Sequence, residues 1–520
     1  SLFARFYFLT DFELLSCLTS SNLDRLVPLL RRMYFRIADM TVHPTEGSIS
    51  AFITSDGVKL KLEAPIPRPS AVEPIEVFMN KVERTIRSNM VSSLQLCLTE
   101  YSTTSFRSWL FRFAYQFADV VLRTRFGQEL HEVVDTASTT GLRAFLKKTE
   151  YVLQELYSML RSRSTMRPSD LSSLTNATLR TLIDRDEIER LVLDGLSTKE
   201  ELDTVPSMRT IVESDGRCVV RLLGVDVRYG YELLGAFHLP VMTSSMLMKV
   251  HHSMFLAAAV GAQSVLVGRA GSGKTESVRS LANTCGKFLY LVPCAGSLST
   301  ITLQAVVEGC VRTGAWLCME DIDALTPSVA FALARTCRAV AAARRSRVNQ
   351  GAQQLTQHIT TTLTKYSAGD VALFATTRLR PAAAMALDAS VTSVFRPVNR
   401  PPPPIGHIAQ ILFSCHGFEA SAASFGLRLA GLYNDFGESR VTSALPPLAG
   451  SPKTATMMMG NDSSFSLARL VQVVKWSTSC ALRNHHEAAL QAALRLFVRP
   501  LLPVRVQTAF ALAAQPGTYD

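Results

Sequence analysis

The chain has 520 residues, 47% of them hydrophobic and 19% charged, with a formal net charge of +11. That composition supplies several packed cores and excludes an intrinsically disordered chain. No apolar run reaches the roughly 18 residues of a membrane-spanning helix, the longest candidates being 255–267 and 329–343. Ten scattered cysteines with no C-x-x-C pair argue against a zinc ribbon or a dithiol redox motif, and reduced thiols in a cytosolic setting are expected. The basic surplus is mild over this length and fits an anionic partner of any kind. The first residues, Ser1-Leu2-Phe3, form neither an initiator nor a secretory leader, and the chain reads as part of a longer polypeptide.

To about residue 160 the pattern predicts mostly helix with one β-hairpin. Residues 48–55 and 58–62 are strand-like and flank Asp56-Gly57, a dipeptide suited to a tight turn. After Pro74, the residues Ile75, Phe78, Met79, Val82, Ile86 and Met90 fall on one helical face, with Lys81, Glu83, Arg84 and Arg87 on the other. Residues 161–176, containing Pro168, read as a loop, and Ser214-Asp215-Gly216 reads as a turn. From about Arg228 onward, short apolar runs at 264–267, 288–292, 316–319 and 371–376 alternate with helical segments, which predicts a parallel sheet covered by helices. The proline run 401–404 breaks this pattern, since it can continue neither a helix nor a central strand. Residues 437–464 read as a flexible insertion, followed by helix from about Phe465. The expected divisions are 1–225, 226–405 and 406–520. His251-His252 and His485-His486 read as ordinary helix residues, and 341–347 as a solvated helix end.

The strongest chemical signal follows the strand at 264–267. Gly268-Arg269-Ala270-Gly271-Ser272-Gly273-Lys274-Thr275 fits G-x-x-x-x-G-K-[ST], and a helix-like segment starts at Glu276. Glycines let backbone N–H groups of Gly268, Ala270, Gly271, Ser272 and Gly273 curl around phosphate oxygens, and the following helix adds its N-terminal dipole. Lys274 can reach the β and γ phosphates of ATP, and Thr275 can hold Mg²⁺. A second strand, 315–319, ends in Glu320-Asp321, where a phosphate-loop enzyme places a Mg²⁺ partner and a water-orienting group.

These residues resemble a dynein heavy chain over nearly the whole length. Arg5-Phe6-Tyr7-Phe8-Leu9-Thr10-Asp11 with Glu13-Leu14-Leu15 is similar to that family's linker signature, and Val77-Phe78-Met79-Asn80-Lys81-Val82-Glu83 to a later linker helix. Tyr229-Gly230-Tyr231-Glu232 with Gly235 resembles the start of the first ring module. Gly273-Lys274-Thr275-Glu276-Ser277-Val278 looks like the form in the cytoplasmic type 2 dynein of intraflagellar transport. Gly314-Ala315-Trp316 and Phe395-Arg396-Pro397-Val398 complete the set. The resemblance implies a mostly α-helical linker segment with a β-hairpin, followed by an α/β AAA+ P-loop module with a helical lid. It also implies a minus-end-directed microtubule motor in which ATP hydrolysis drives the linker. Partners would be the remaining AAA+ ring modules, the intermediate, light intermediate and light chains, and a microtubule bound through parts outside this chain. No membrane span and no nucleic acid are expected, and the location would be cytoplasmic and cytoskeletal, with a cilium or flagellum as an option.

Three positions depart from the family pattern. The Asp-Glu pair of the second motif is inverted to Glu320-Asp321, Arg378 stands where a neutral Asn positions water, and Ala468 takes the late sensor-arginine position, with Arg469 next to it. Arg396 stands where ring modules present an arginine to a neighbour. Two further readings stay open: a degenerate paralogue that holds ATP without efficient hydrolysis, and a different AAA+ ATPase acting on nucleic acid.

Overall fold

The structure, a computed structural model, describes residues 3–18, 23–34, 36–43, 47–54, 57–70, 73–162, 166–196, 198–213, 216–235, 245–269, 271–294, 298–349, 371–378, 389–401, 404–418, 422–436, 467–480, 486–499 and 504–513. The expected insertion at 437–464, Ala270 and His485 lie outside these residues.

A 3-10 turn, Ala4–Phe8, leads into α1 (Asp11–Leu18) and α2 (Leu23–Tyr34). Strands β1 (Ile37–Val42), β2 (Ile49–Thr54) and β3 (Lys59–Ile66) form an antiparallel sheet in that order, so the predicted hairpin gains a third strand. Helix α3 (Ile75–Glu100) buries the predicted stripe, including Phe78, Met79, Val82, Ile86 and Met90. Helices α4 (Phe106–Arg112), α5 (Tyr115–Arg161) and α6 (Pro168–Leu193) follow. The predicted loop at 161–176 is therefore corrected: helix resumes at Pro168, because proline in the first turn lacks only an N–H that the helix does not use there. A capping box opens α7 (Lys199–Thr204), where Thr198 Oγ1 accepts from the Glu201 amide at 3.2 Å and the Glu201 carboxylate accepts from the Thr198 amide at 3.2 Å. A second antiparallel sheet, β4 (Arg209–Val212), β5 (Cys218–Leu222) and β6 (Val225–Arg228), stands where only the turn around Gly216 was expected.

The α/β part runs α8 (Ser245–Val260), β7 (Gln263–Gly268), α9 (Lys274–Thr284), β8 (Leu289–Pro293), α10 (Thr300–Thr313), β9 (Trp316–Glu320), α11 (Pro327–Asn349), β10 (Leu373–Arg378), α12 (Ala389–Thr392) and β11 (Phe395–Asn399). Its five strands are all parallel, in the order β11-β7-β10-β9-β8. Side chains alternate between two cores, as a sheet covered on both faces requires. Leu317, Met319, Leu373 and Ala375 pack with Val307 of α10 and Leu333 of α11. Trp316, Cys318 and Phe374 pack with Phe255 of α8 and Leu281 of α9 on the opposite face. Of the expected solvated end at 341–347, residues 343 and 344 are packed against the module, and the side chains of 345–347 lie outside the described ones. Ala343 is buried, and Arg344 donates to the carbonyls of Val371 at 3.0 Å and Ala259 at 2.9 Å. Beyond the prolines, α13 (Ile405–Cys415), α14 (Ala422–Phe436) and helices Leu467–Cys480, His486–Phe497 and Val504–Ala513 build a helical lid around Phe413, Phe425, Leu470 and Leu494.

The first helical region and the α/β part are joined through buried polar contacts. Arg5 Nη2 donates to both carboxylate oxygens of Glu232, at 2.7 and 2.9 Å, and lies 3.3 Å from Glu83. Its guanidinium carbon sits 4.2 Å from the Tyr34 ring centroid. Burial alone would pull the Arg5 pKa down, and Glu232 and Glu83 hold it above the ordinary arginine value instead. Gln116 of α5 donates to the Glu232 carbonyl at 2.7 Å and accepts from the Leu234 amide at 2.9 Å. The Phe8 ring stacks on Tyr290 of β8 at 4.8 Å. Among the described residues, no helix is long and apolar enough to cross a membrane. The described cysteines are free and buried.

Candidate functional site

The 268–275 loop joins the C-terminal end of β7 to the first turn of α9. Gly271 and Gly273 hold φ of 69° and 86°, conformations that a side-chain-bearing residue adopts only at a cost. Gly268 allows a close backbone approach: a Cβ there would sit 2.8 Å from the Arg400 carbonyl oxygen and 3.2 Å from Ser272 Oγ. Lys274 is buried, and its ammonium donates to the carbonyls of Gly268 at 3.0 Å and Arg269 at 2.8 Å. The lysine thus folds back over the loop. Thr275 and Glu276 follow on the first turn of α9, where Glu276 pairs with Arg279.

Strand β10 lies between β7 and β9, so the C-terminal end of β9 stands about two strand spacings, or roughly 10 Å, from the loop. Glu320 closes β9 and Asp321 follows it with φ 55°, a left-handed conformation that Asp tolerates better than most residues. The Asp321 amide donates to Thr376 Oγ1 at 3.1 Å, and Thr377 Oγ1 donates to Asp323 at 3.0 Å, which ties the acidic turn to β10. Burial and the neighbouring Asp321, Asp323 and Glu320 push the Cys294 thiol up to about 12, so these carboxylates share one electrostatic neighbourhood. The Arg378 backbone pairs with Gly268 in register, at the junction of loop and sheet; its side chain lies outside the described ones. Arg396 is exposed on β11, an edge strand. The side chains of Ala468 and Arg469 are likewise outside those described. The sequence reading missed Thr376 and Thr377 as supports of the acidic turn and missed Arg400 altogether.

The hydroxyl of Thr275 and the half-buried carboxylates of Glu320 and Asp321 are hard oxygen donors of the kind that suits Mg²⁺. An anion also fits. Ser272 Oγ is buried with no hydrogen-bond partner among the described residues, inside a loop whose glycines leave its backbone open.

Behind the loop, α8 carries His251 and His252, and both are buried. Burial, with the charges of Arg400 and His252, pushes His251 down to about 3, and burial with Arg190 pushes His252 down to about 4. An unfolded histidine takes up its proton near pH 6.5, so below that pH the unfolded state binds more protons and stability falls as pH drops. The loss is on the order of 2 kcal/mol per histidine at pH 5. Asp184, raised to about 6 chiefly by burial, acts with the opposite sign between about pH 4 and 6. His251→Gln is expected to flatten the fall of the thermal midpoint between pH 7 and 5. An unchanged slope would show that His251 protonates without opposing the fold.

The sheet order, the glycine loop at the end of β7 and the acidic end of β9 define a P-loop ATPase module of the AAA class. Residues 229–440 match the family described as the hydrolytic ATP binding site of the dynein motor region, and residues 1–97 match dynein heavy chain, N-terminal region 2. The chain belongs to the dynein heavy chains, with a linker region followed by the first motor module. It is 24% identical over 339 residues to dynein axonemal heavy chain 12 of Homo sapiens, covering 64% of this chain and 11% of that one. It is 23% identical over 361 residues to the cytoplasmic dynein heavy chain of Caenorhabditis elegans, covering 66% of this chain and 8% of the relative. With its Drosophila melanogaster counterpart the identity is 21% over 444 residues, or 81% and 9% of the two chains. The chain thus spans about a tenth of the length of these relatives.

Proposed function

We propose that this chain is the linker end and first ring site of an ATP-driven, minus-end-directed microtubule motor, divided near 225/226 and 405/406. The observation that carries the reading is the 268–275 loop beside the acidic end of β9, in a module bound to the linker region through Arg5 and Glu232. Main-chain amides of Gly268, Ala270, Gly271, Ser272 and Gly273, with Glu276 on the first turn of α9, surround the phosphates, and Lys274 exchanges the carbonyls of Gly268 and Arg269 for phosphate oxygens. Thr275 and Glu320 would hold Mg²⁺, Asp321 would orient water, and Arg378 would take the place of the Asn that positions water in the family. When bound, Mg²⁺ neutralises charge on the β and γ phosphates. Partners are the other ring modules, dynein intermediate, light intermediate and light chains, and a microtubule bound outside this chain. Nucleic acid is not among them. The location is the cytoplasmic cytoskeleton, with a ciliary, type 2 assignment supported by the 273–278 motif. Axonemal and cytoplasmic heavy chains are the relatives described above.

Lys274→Ala is expected to weaken binding of fluorescently labelled Mg-ATP at least tenfold. An unchanged affinity would show that the loop holds no phosphate. The inverted pair Glu320-Asp321 supports a second reading, in which ATP is retained and cleaved slowly.

A further inference from the structure

Among the described residues, polar atoms without partners gather on the β11 side of the phosphate loop. Arg400 follows β11 directly and is 8% exposed. Its amide donates to the Val267 carbonyl at 2.7 Å, which holds it alongside the end of β7. From there the side chain reaches the other end of the loop, with Nη2 3.4 Å from the position a Cβ would take on Gly273. Among the described residues, no group accepts a hydrogen bond from Arg400 Nε or Nη1. Burial moves its pKa down to about 10, with no carboxylate among the described residues offsetting it. Two further groups nearby are equally unsatisfied. Ser272 Oγ and both ring nitrogens of His251, a residue that feels the Arg400 charge, also lack partners among the described residues.

An arginine stays charged at neutral pH, and a buried charge without a counter-charge is among the costliest arrangements a fold can hold. Here the counter-charge that is absent among the described residues coincides with a loop whose amides and helix dipole select anions. We propose that Arg400 is a second cationic anchor for the phosphates of a nucleotide held by residues 268–275, donating from the β11 side while Lys274 donates from within the loop. This rests on the nucleotide-binding reading of the loop. It adds a residue from outside the phosphate-loop motif, supplied by the same chain. The planar guanidinium suits paired contacts to phosphate oxygens, so Lys at this position would keep the charge and lose the fork.

The test compares the wild-type chain with Arg400→Met, Arg400→Lys and Lys274→Ala, using equilibrium binding of Mg-ADP and adenosine and the thermal midpoint without nucleotide. Arg400→Met is expected to weaken Mg-ADP binding at least tenfold and leave adenosine binding unchanged. The nucleotide-free midpoint should stay level or rise, because an unpaired charge has been removed. Arg400→Lys should fall between Met and wild type, and it serves as the probe if the Met variant does not fold. A lowered midpoint with unchanged Mg-ADP affinity would make Arg400 a structural residue and overturn the proposal. Tighter Mg-ADP binding by Arg400→Met would overturn it too, by showing that the arginine obstructs the pocket. Lys274→Ala separates the two levels of inference. If it loses Mg-ADP while Arg400→Met keeps it, only the Arg400 role fails; if both retain it, the nucleotide reading itself fails.

Discussion

Arg5→Ala is expected to destabilise the junction between the linker region and the ATPase module by about 3–5 kcal/mol, the range for removing one member of a buried ion cluster. Arg5 is 1% exposed, and its guanidinium neutralises two carboxylates that come from distant parts of the chain, Glu83 on α3 and Glu232 ahead of α8. Without it, two like charges remain together in an apolar setting, and the Tyr34 ring loses its cation. A surface pair would lose at most about 1 kcal/mol, so the magnitude distinguishes the cases. Denaturant unfolding followed by tryptophan fluorescence provides the measurement, and Arg5→Ala combined with Glu232→Gln should recover part of the loss. A deficit below about 1 kcal/mol would show that the cluster does not hold the junction. The consequence for the proposed motor is mechanical. Phe8 stacks on Tyr290, and Tyr7 donates to Glu308 of α10 at 3.2 Å, so residues 7 and 8 are fixed to the module's outer strand and helix. In the proposed motor, Ala4–Phe8 would then stay with the module.

What the sequence disclosed and what it concealed follow from the range of the interactions. The phosphate loop was legible because each requirement is local: positive φ at Gly271 and Gly273, a lysine next to them and a strand before them. The central strands showed themselves as apolar runs because both of their faces are buried. Strand β11 did not, since Phe395-Arg396-Pro397-Val398-Asn399 is polar and contains proline. An edge strand that pairs, among the described residues, with β7 alone accepts both features. The 209–228 sheet was hidden by strands of four or five residues, two of them ending in arginine or starting with it. Pro168 read as a loop residue, whereas in a first turn it starts a helix. Arg5 and Glu232 are separated by 227 positions, and Arg400 meets the loop only through strand order, so no local pattern could reveal either one.

Exchanging the two acidic residues back, as Glu320→Asp with Asp321→Glu, is expected to raise the single-turnover rate of ATP cleavage at this site about a hundredfold. Asp321 is one methylene shorter than the glutamate it replaces, and a misplacement of about 1 Å in a water-orienting group costs on that order in rate. The opposing term is conformational. Residue 321 has φ 55°, a left-handed conformation that costs an ordinary side-chain-bearing residue about 1–2 kcal/mol and that Asp tolerates better than Glu. A hundredfold rate gain corresponds to about 2.7 kcal/mol of barrier, so catalysis should improve while stability declines. The bonds from the Asp321 amide to Thr376 and from Thr377 to Asp323 keep the turn in place through the exchange. The comparison belongs in a heavy chain with its full ring, measured beside wild type and Asp321→Ala. On this account wild type cleaves ATP faster than Asp321→Ala, and the exchanged variant stands clear of both. A wild-type rate far above Asp321→Ala, with no gain on exchange, would mean that Asp321 already reaches the attacking water and that the inverted pair is a working catalytic arrangement.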